Sequence, residues 1–428
     1  MIKKFLSRFQ ESPLFLNSRT LIIGTVIAQL IPIAIQPFLR RYFSAEDFGI
    51  AAIFSALVGM GVSAANLKYE NAIVLPEKEE EATHLLIGGV GISAIFSLLC
   101  WIILYSSQSL WMNKLGLNGE ESWIFYFLPL SLFLVSSFQC FNYYLIRKKA
   151  FKDSARNKIY RRGSEALSQS GFAFIKSSYG LIYGTLIGDF INFTGGLYQI
   201  KRNGFRWNLP SRTLFATLKK YGQFPLFHAM PSLLNTVSLI LPVIIVNTAF
   251  GKSSTGQFDL SRLVLALPMA LISIALSQVY LQNLAEKIQK NQAIYPDFRK
   301  VALVLLGISL PLVILLYFFS IPIFELLFGS EWTMAGEITA LLVIGQTIKF
   351  IVSPLSSSLI ALKEVRFSAL WQILYFGAMY MLYLNPGVDI YDFIIRYCIL
   401  DVFAYGIYYI IIYLVVKRYE KSRDRRTL

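Results

Sequence analysis

The sequence predicts an all-α polytopic membrane protein of about twelve helices in two six-helix halves, and three observations carry that prediction. Of 428 residues, 55% are hydrophobic and only 15% charged, with a mean hydropathy of +0.56, which excludes an ordinary soluble domain. Apolar runs of roughly 20 residues, the length that crosses a hydrocarbon core, recur along the whole chain. The Lys and Arg between those runs alternate as the positive-inside rule requires.

Eight runs are clear: 20–39, 48–67, 85–105, 123–146, 226–250, 301–328, 338–362 and 390–416. Four more, 163–177, 179–200, 257–281 and 367–384, are interrupted by Gly, Ser and isolated charges. With the N-terminus placed inside, 32 of the 40 Lys and Arg fall in inner segments, of which 147–162 holds eight and 201–220 holds six. Arg40, Arg41, Lys114, Lys176 and Lys252 lie in outer loops, and Arg262, Lys349 and Arg396 lie inside spans. Removing one helix would scramble this alternation, so both termini are expected in the cytoplasm. The net charge of +15 is then a topology signal and a fit to an anionic inner leaflet. No nucleic-acid partner is needed to explain it.

Other signals are bland. The opening "MIKKFLSRFQESPLFLNSR" lacks the separate apolar stretch and cleavage site of a signal peptide. Cys100, Cys140 and Cys398 lie within apolar spans, and His84 and His228 have no cluster of partners, so neither a disulfide framework nor a metal site is expected. "FGKSS" lacks the upstream glycine of a phosphate-binding loop, since position 246 is Val246, and no cofactor is expected. "NFT" at Asn192 falls inside a span and is not an acceptor loop.

The chain repeats itself. "FSAEDFG" (43–49) and "FGKSSTG" (250–256) each place a Phe six residues before a Gly at a helix start, and "LIRKKAF" (145–151) pairs more faintly with "LIALKEVRF" (359–367). These echoes divide the chain into a six-helix bundle 1–202, a basic linker 203–220 and a second six-helix bundle 221–428. Six is even, so the halves enter the membrane in the same direction, as in transporters built from parallel repeats. Pro32 and Pro37 in span one and Pro225, Pro231 and Pro242 around span seven mark the first helix of each half as bent.

Charges inside spans carry the sharpest functional signal, because a cation at the bilayer centre costs about 2.5–3.5 kcal/mol on insertion scales. A helix keeps one only where it faces water, a partner or a ligand. Lys349 lies near mid-membrane. Arg262 has Asp259 three residues before it, and it could pair with that acid, snorkel outward or meet an anionic ligand. Arg396 has Asp392 four residues before it and reads first as an intrahelical pair. Asp189, Glu165 and Asp401 have no obvious local partner, and either pair across helices or take part in coupling or gating. The acidic pair Glu46 and Asp47 sits in an outer loop of about eight residues, too short for a sugar-binding site, and reads as helix-dipole compensation.

The stretches "RRYFSAEDFGIAAIFSAL", "FGKSSTGQFDLSRLVLALPMALISIALSQVYLQNLAE" and "LFGSEWTMAGEITALLVIGQTIKFIVSPLSSSLIALKEVRF" resemble bacterial polysaccharide-export proteins, the Wzx-like O-antigen or repeat-unit flippases of the multidrug/oligosaccharidyl-lipid/polysaccharide exporter superfamily. The resemblance implies a flippase rather than an enzyme, in the bacterial inner membrane. It would move an undecaprenyl-diphosphate-linked oligosaccharide from the inner to the outer leaflet by alternating access. It implies a cationic, aromatic-lined cavity with Arg262, Lys349, Asp259 and Arg396 as substrate-binding candidates. Membrane lipid, a polysaccharide polymerase and chain-length proteins would be the partners. Two alternatives stand beside it: a cation-coupled exporter of amphipathic drugs, which would need an anionic cavity, and a membrane glycosyltransferase or polymerase. Most of the 24 Tyr, 34 Phe and 6 Trp are expected in interface belts and packing.

Overall fold

The computed structural model describes residues 13–117, 119–207 and 212–427; segment 1–12 and the middle of the linker, 208–211, lie outside them. Eleven long helices and no strand occur among the described residues. They are α1 (Pro13–Leu39), α2 (Ala45–Ala65), α3 (Glu79–Ser106), α4 (Ile124–Arg147), α5 (Phe151–Phe174), α6 (Gly180–Arg202), α7 (Met230–Gln289), α8 (Tyr295–Phe328), α9 (Thr333–Leu355), α10 (Val365–Leu384) and α11 (Ile390–Thr427). Seven stretches are long and apolar enough to cross a membrane by length and composition. The fold is all-α and polytopic.

Two expectations need correction. Residues 251–256 do not form an extended outer turn: two helices meet at a kink at Gly251, which takes φ 84°, ψ 174°, and the second starts at once. Ser and Thr favour loops because their hydroxyls compete for backbone groups. Here Thr255 Oγ1 turns that competition inward, donating to the Gly251 carbonyl at 2.9 Å. Counted as two rods, α7 restores the expected twelve.

The second correction concerns span five, whose helix starts at Phe151 rather than 163. Lys and Arg are good helix formers, Asp153 sits in the first turn, and Ser154 and Asn157 are fully buried on the packed face. The basic inner segment is therefore mostly the polar face of a helix.

The chain forms two compact units, Met1–Gly256 and Gln257–Leu428. In the first, α5 packs between α1 and α6. Gly24 lies against Ala155, and Gly188 lies against Arg161 and Glu165. Without hydrophobic drive between helices in lipid, small residues let backbones approach and recover dispersion energy. Ile53, Phe54, Leu128 and Leu132 fill one apolar core, and Phe141, Tyr144, Leu145 and Ile200 another. In the second unit α9 packs on α8 and α11, with Gly345 against Cys398 and Asp401. A five-residue π-helical turn, Pro225–Ala229, precedes α7, so the bend expected near Pro225 appears as a widened turn.

Candidate functional site

The charged span residues gather into two buried centres, one in each unit. In the first unit, Asp189 on α6 is 1% exposed. Arg161 on α5 donates Nη2 and Nε to one of its oxygens at 2.7 and 3.0 Å, and Ser131 on α4 donates to the other. One turn away, Arg162 Nη1 reaches Glu165 at 2.7 Å, and Thr185 donates to the same carboxylate at 3.2 Å. Asp189 and Glu165 thus pair with the two arginines at the end of the basic segment. Short, charge-assisted bonds between α5 and α6 make this a cross-brace.

In the second unit, Asp401 on α11 is equally buried, at 1% exposure, but its contacts are phenols. Tyr375 on α10 donates to Oδ1 at 2.7 Å, and Tyr397, one turn before Asp401, also bonds it. Lys349 on α9 and Arg262 on α7 both act on the carboxylate through their charge. The Lys349 ammonium lies 5.4 Å from the Tyr405 ring centre, and the Arg262 guanidinium lies 5.6 Å from that of Phe258. Rings at this range attract a cation through their quadrupoles. Arg262, Lys349 and Asp401, far apart in sequence, thus lie within electrostatic reach of one another.

Arg396 is not part of this centre. Its Nε donates to Asp392 Oδ1 at 2.8 Å in an exposed i,i+4 pair. Beside the centre, Trp371 stacks between Tyr375 and Tyr408 with centroids 5.0 and 4.3 Å away, and Nε1 donates to the Ala404 carbonyl. Both faces of that indole are used, so it offers no platform to a sugar. Sequence reasoning missed Tyr375 and Tyr397. The spacing Tyr397, Asp401, Tyr405, Tyr408 places the three tyrosines and the acid on one helical face, the signal that could have found Tyr397. Nothing comparable marked Tyr375.

A third feature lies where the two repeated segments meet, within the first unit. A Cβ on Gly49 would stand 1.9 Å from the Lys252 carbonyl oxygen, and one on Gly256 would stand 1.9 Å from that of Ala45. In the register of the repeat, Gly49 corresponds to Gly256 and Ala45 to Lys252. The contact is therefore reciprocal, as between subunits related by a twofold. Two of the outer-loop cations turn inward around it. Arg40, 1% exposed, donates to the Gly256 carbonyl at 3.2 Å and lies 3.6 Å over the Phe48 ring. Lys252 Nζ is 2.7 Å from both oxygens of the buried Glu121. Ser44 and Asp47 form a reciprocal capping box at the start of α2, so Asp47 serves the helix end as expected.

Both units are all-α, and each buries a charge centre among its helices. A family of polysaccharide biosynthesis proteins matches residues 38–337, and the chain belongs to that family. It is 23% identical over 154 residues to the teichuronic acid biosynthesis protein TuaB of Bacillus subtilis (strain 168), covering 36% of this chain and about a third (32%) of that protein's length. Among solved structures, the lipid II flippase MurJ in an inward closed conformation is similar with a TM-score of 0.73, at 15% identity, over 93% of this chain and 87% of that one. An inward-facing multidrug-resistance MATE transporter is similar with a TM-score of 0.66, at 14% identity, over 94% and 95%. The fold is the one shared by these two solved structures.

Proposed function

We propose that the protein flips a polyprenyl-diphosphate-linked oligosaccharide, the repeat unit of a surface polysaccharide such as O-antigen, from the inner to the outer leaflet of a bacterial inner membrane. The observation that carries this reading is the convergence of Arg262 and Lys349 on a membrane-embedded centre with one buried acid, in a member of a polysaccharide biosynthesis family. Cations held inside an apolar bundle suit an anionic cargo. An always-charged planar fork at Arg262 matches a diphosphate bidentately.

The phenols and Asp401 hold the cations ready, and Asp259, one turn from Arg262, competes for it as the cargo enters or leaves. Arg396 is the outlying substrate candidate. The halves are 1–202 and 221–428, joined through 203–220, and transport proceeds by alternating access with both termini in the cytoplasm. The reciprocal glycine contact closes the outer end. Asp189 and Glu165 fix the first half as a rigid body, and Asp401 senses the cargo. A polymerase and chain-length proteins take the product.

The test is Arg262→Ala in cells that depend on this chain for surface polysaccharide. Transport should be lost at normal abundance, and Arg262→Lys should restore it in part, keeping the charge without the fork. Full polysaccharide in Arg262→Ala would refute the role. If deleting the gene instead sensitises cells to cationic dyes and leaves polysaccharide intact, the second reading, a drug exporter on the similar MATE fold, replaces this one.

A further inference from the structure

The first unit contains a cavity of about 460 Å3 that the transport centres do not use. Its wall joins the turn after α2, the end of α4 and the start of α7. Lys68, Glu70, Gln139, Asn142, Tyr143 and His228 are among the residues that line it.

The wall is built rather than incidental. Leu67 and Lys68 both adopt left-handed backbone, at φ 49° and 63°, a conformation non-glycine residues keep only where surrounding structure enforces it. The fully buried Asn66 enforces it here. Its side-chain oxygen accepts from the Lys68 N–H at 3.4 Å, while its Nδ2 donates to the Gln139 side-chain oxygen at 3.2 Å. The turn delivers Glu70 to the cavity wall at 3% exposure. Glu70 Oε1 is 3.6 Å from Lys68 Nζ, and Oε2 is buried without a hydrogen-bond partner. Burial pushes the Glu70 carboxyl up, and Lys68 opposes that shift. An orphaned carboxylate oxygen in a polar cavity calls for a donor from a ligand.

The remaining chemistry narrows that ligand. The side-chain oxygens of Gln139 and Asn142 are occupied, by Asn66 and by Ser154, which leaves their NH2 groups to act as donors. Lys68 supplies more donors, and the Tyr143 hydroxyl can donate or accept. Around one unsatisfied acceptor stand several donors. Phosphate would meet Glu70 as a like charge, and a metal cation would meet Lys68. A drug-like apolar cation would find mostly polar wall. Adjacent hydroxyls of a sugar satisfy the set, one donating to Glu70 Oε2 and its neighbour accepting from Lys68 or an amide.

We propose that this cavity is a sugar subsite, which takes a single neutral pyranose of the cargo through adjacent hydroxyls. It rests on the flippase reading and deepens it, because that reading puts this end of α2 at the cytoplasmic side. The subsite then examines the glycan before the diphosphate reaches Arg262.

The experiment uses the purified full-length protein and a panel of methyl pyranosides of the gluco, galacto, manno and N-acetylglucosamine series, read by saturation-transfer NMR. At least one glycoside should receive saturation from the wild type. Glu70→Gln should weaken it by roughly tenfold, the size of one charge-assisted hydrogen bond. Asn142→Leu removes a wall donor without touching the Lys68–Glu70 pair, and it serves if Glu70→Gln fails to fold. No glycoside bound by the wild type, or unchanged binding in a folded variant, overturns the subsite and leaves the flippase reading to its own polysaccharide assay. Glycoside binding in a protein whose deletion leaves polysaccharide intact keeps the subsite and removes the flippase.

Discussion

Asp189 and Asp401 are buried to the same 1%, yet they are solved differently. Around Asp189 a guanidinium contacts the carboxylate directly, and Arg162 takes the neighbouring Glu165. Around Asp401, phenols make the contacts and two cations act on it through their charge. Contact ion pairs with matched charge hold helices together and are costly to break. A carboxylate held by neutral hydroxyls, with cations beside it, leaves those cations more able to exchange partners. One centre is built to stay and the other to change.

The comparison can be broken by substitution, starting from its larger side. Arg161→Ala strands Asp189 without its counter-charge, at a cost of about 3 kcal/mol, the low end for a buried pair because the arginine is 25% exposed. Membrane abundance measured by quantitative blotting should fall severalfold, and Arg262→Ala should leave it unchanged. Equal loss in both variants would erase the distinction between the centres.

Next come the glycines. Gly49→Ala and Gly256→Ala each place a methyl carbon 1.9 Å from a backbone oxygen, so each must part the two segments. With native cysteines removed and a cysteine at the exposed Ser253, labelling by an impermeant maleimide should speed up in both variants to a similar degree. A response from one glycine alone would show that the contact is not reciprocal in energy.

Tyr375→Phe deletes one hydrogen bond to Asp401, a change of about 1.5–3 kcal/mol if the acid is charged. Transport should fall while abundance stays near normal, because the ring still stacks on Trp371. Smallest of all, Arg396→Gln breaks an exposed pair. It should leave both polysaccharide and abundance unchanged, and a transport defect there would enlarge the site along α11.

Much of this was legible in the sequence. Apolar length located the helices, and the two repeated Phe-to-Gly segments lie against each other in the structure. What stayed hidden has physical reasons. A segment with eight cations in 147–162 reads as a loop although Lys and Arg favour helices, so the start of α5 was misplaced. The segment 251–256 reads as a turn by composition, and only tertiary packing reduces it to one glycine. Arg161 and Asp189 lie 28 residues apart with nothing local to join them. The same holds for Tyr375 and Asp401, whose pairing depends on how α10 meets α11.

The glycine contact has a kinetic consequence. Where a glycine Cα lies against a carbonyl oxygen, the glycine has no side chain to unlock, so parting the two backbones frees no rotamer at Gly49 or Gly256. The activation barrier to parting then belongs to the neighbouring groups that lose contacts, Lys252 with Glu121 and Arg40 with the Gly256 carbonyl. The ease with which the two segments part is therefore set by Lys252 with Glu121 and by Arg40, and is tunable by substitution at those three residues.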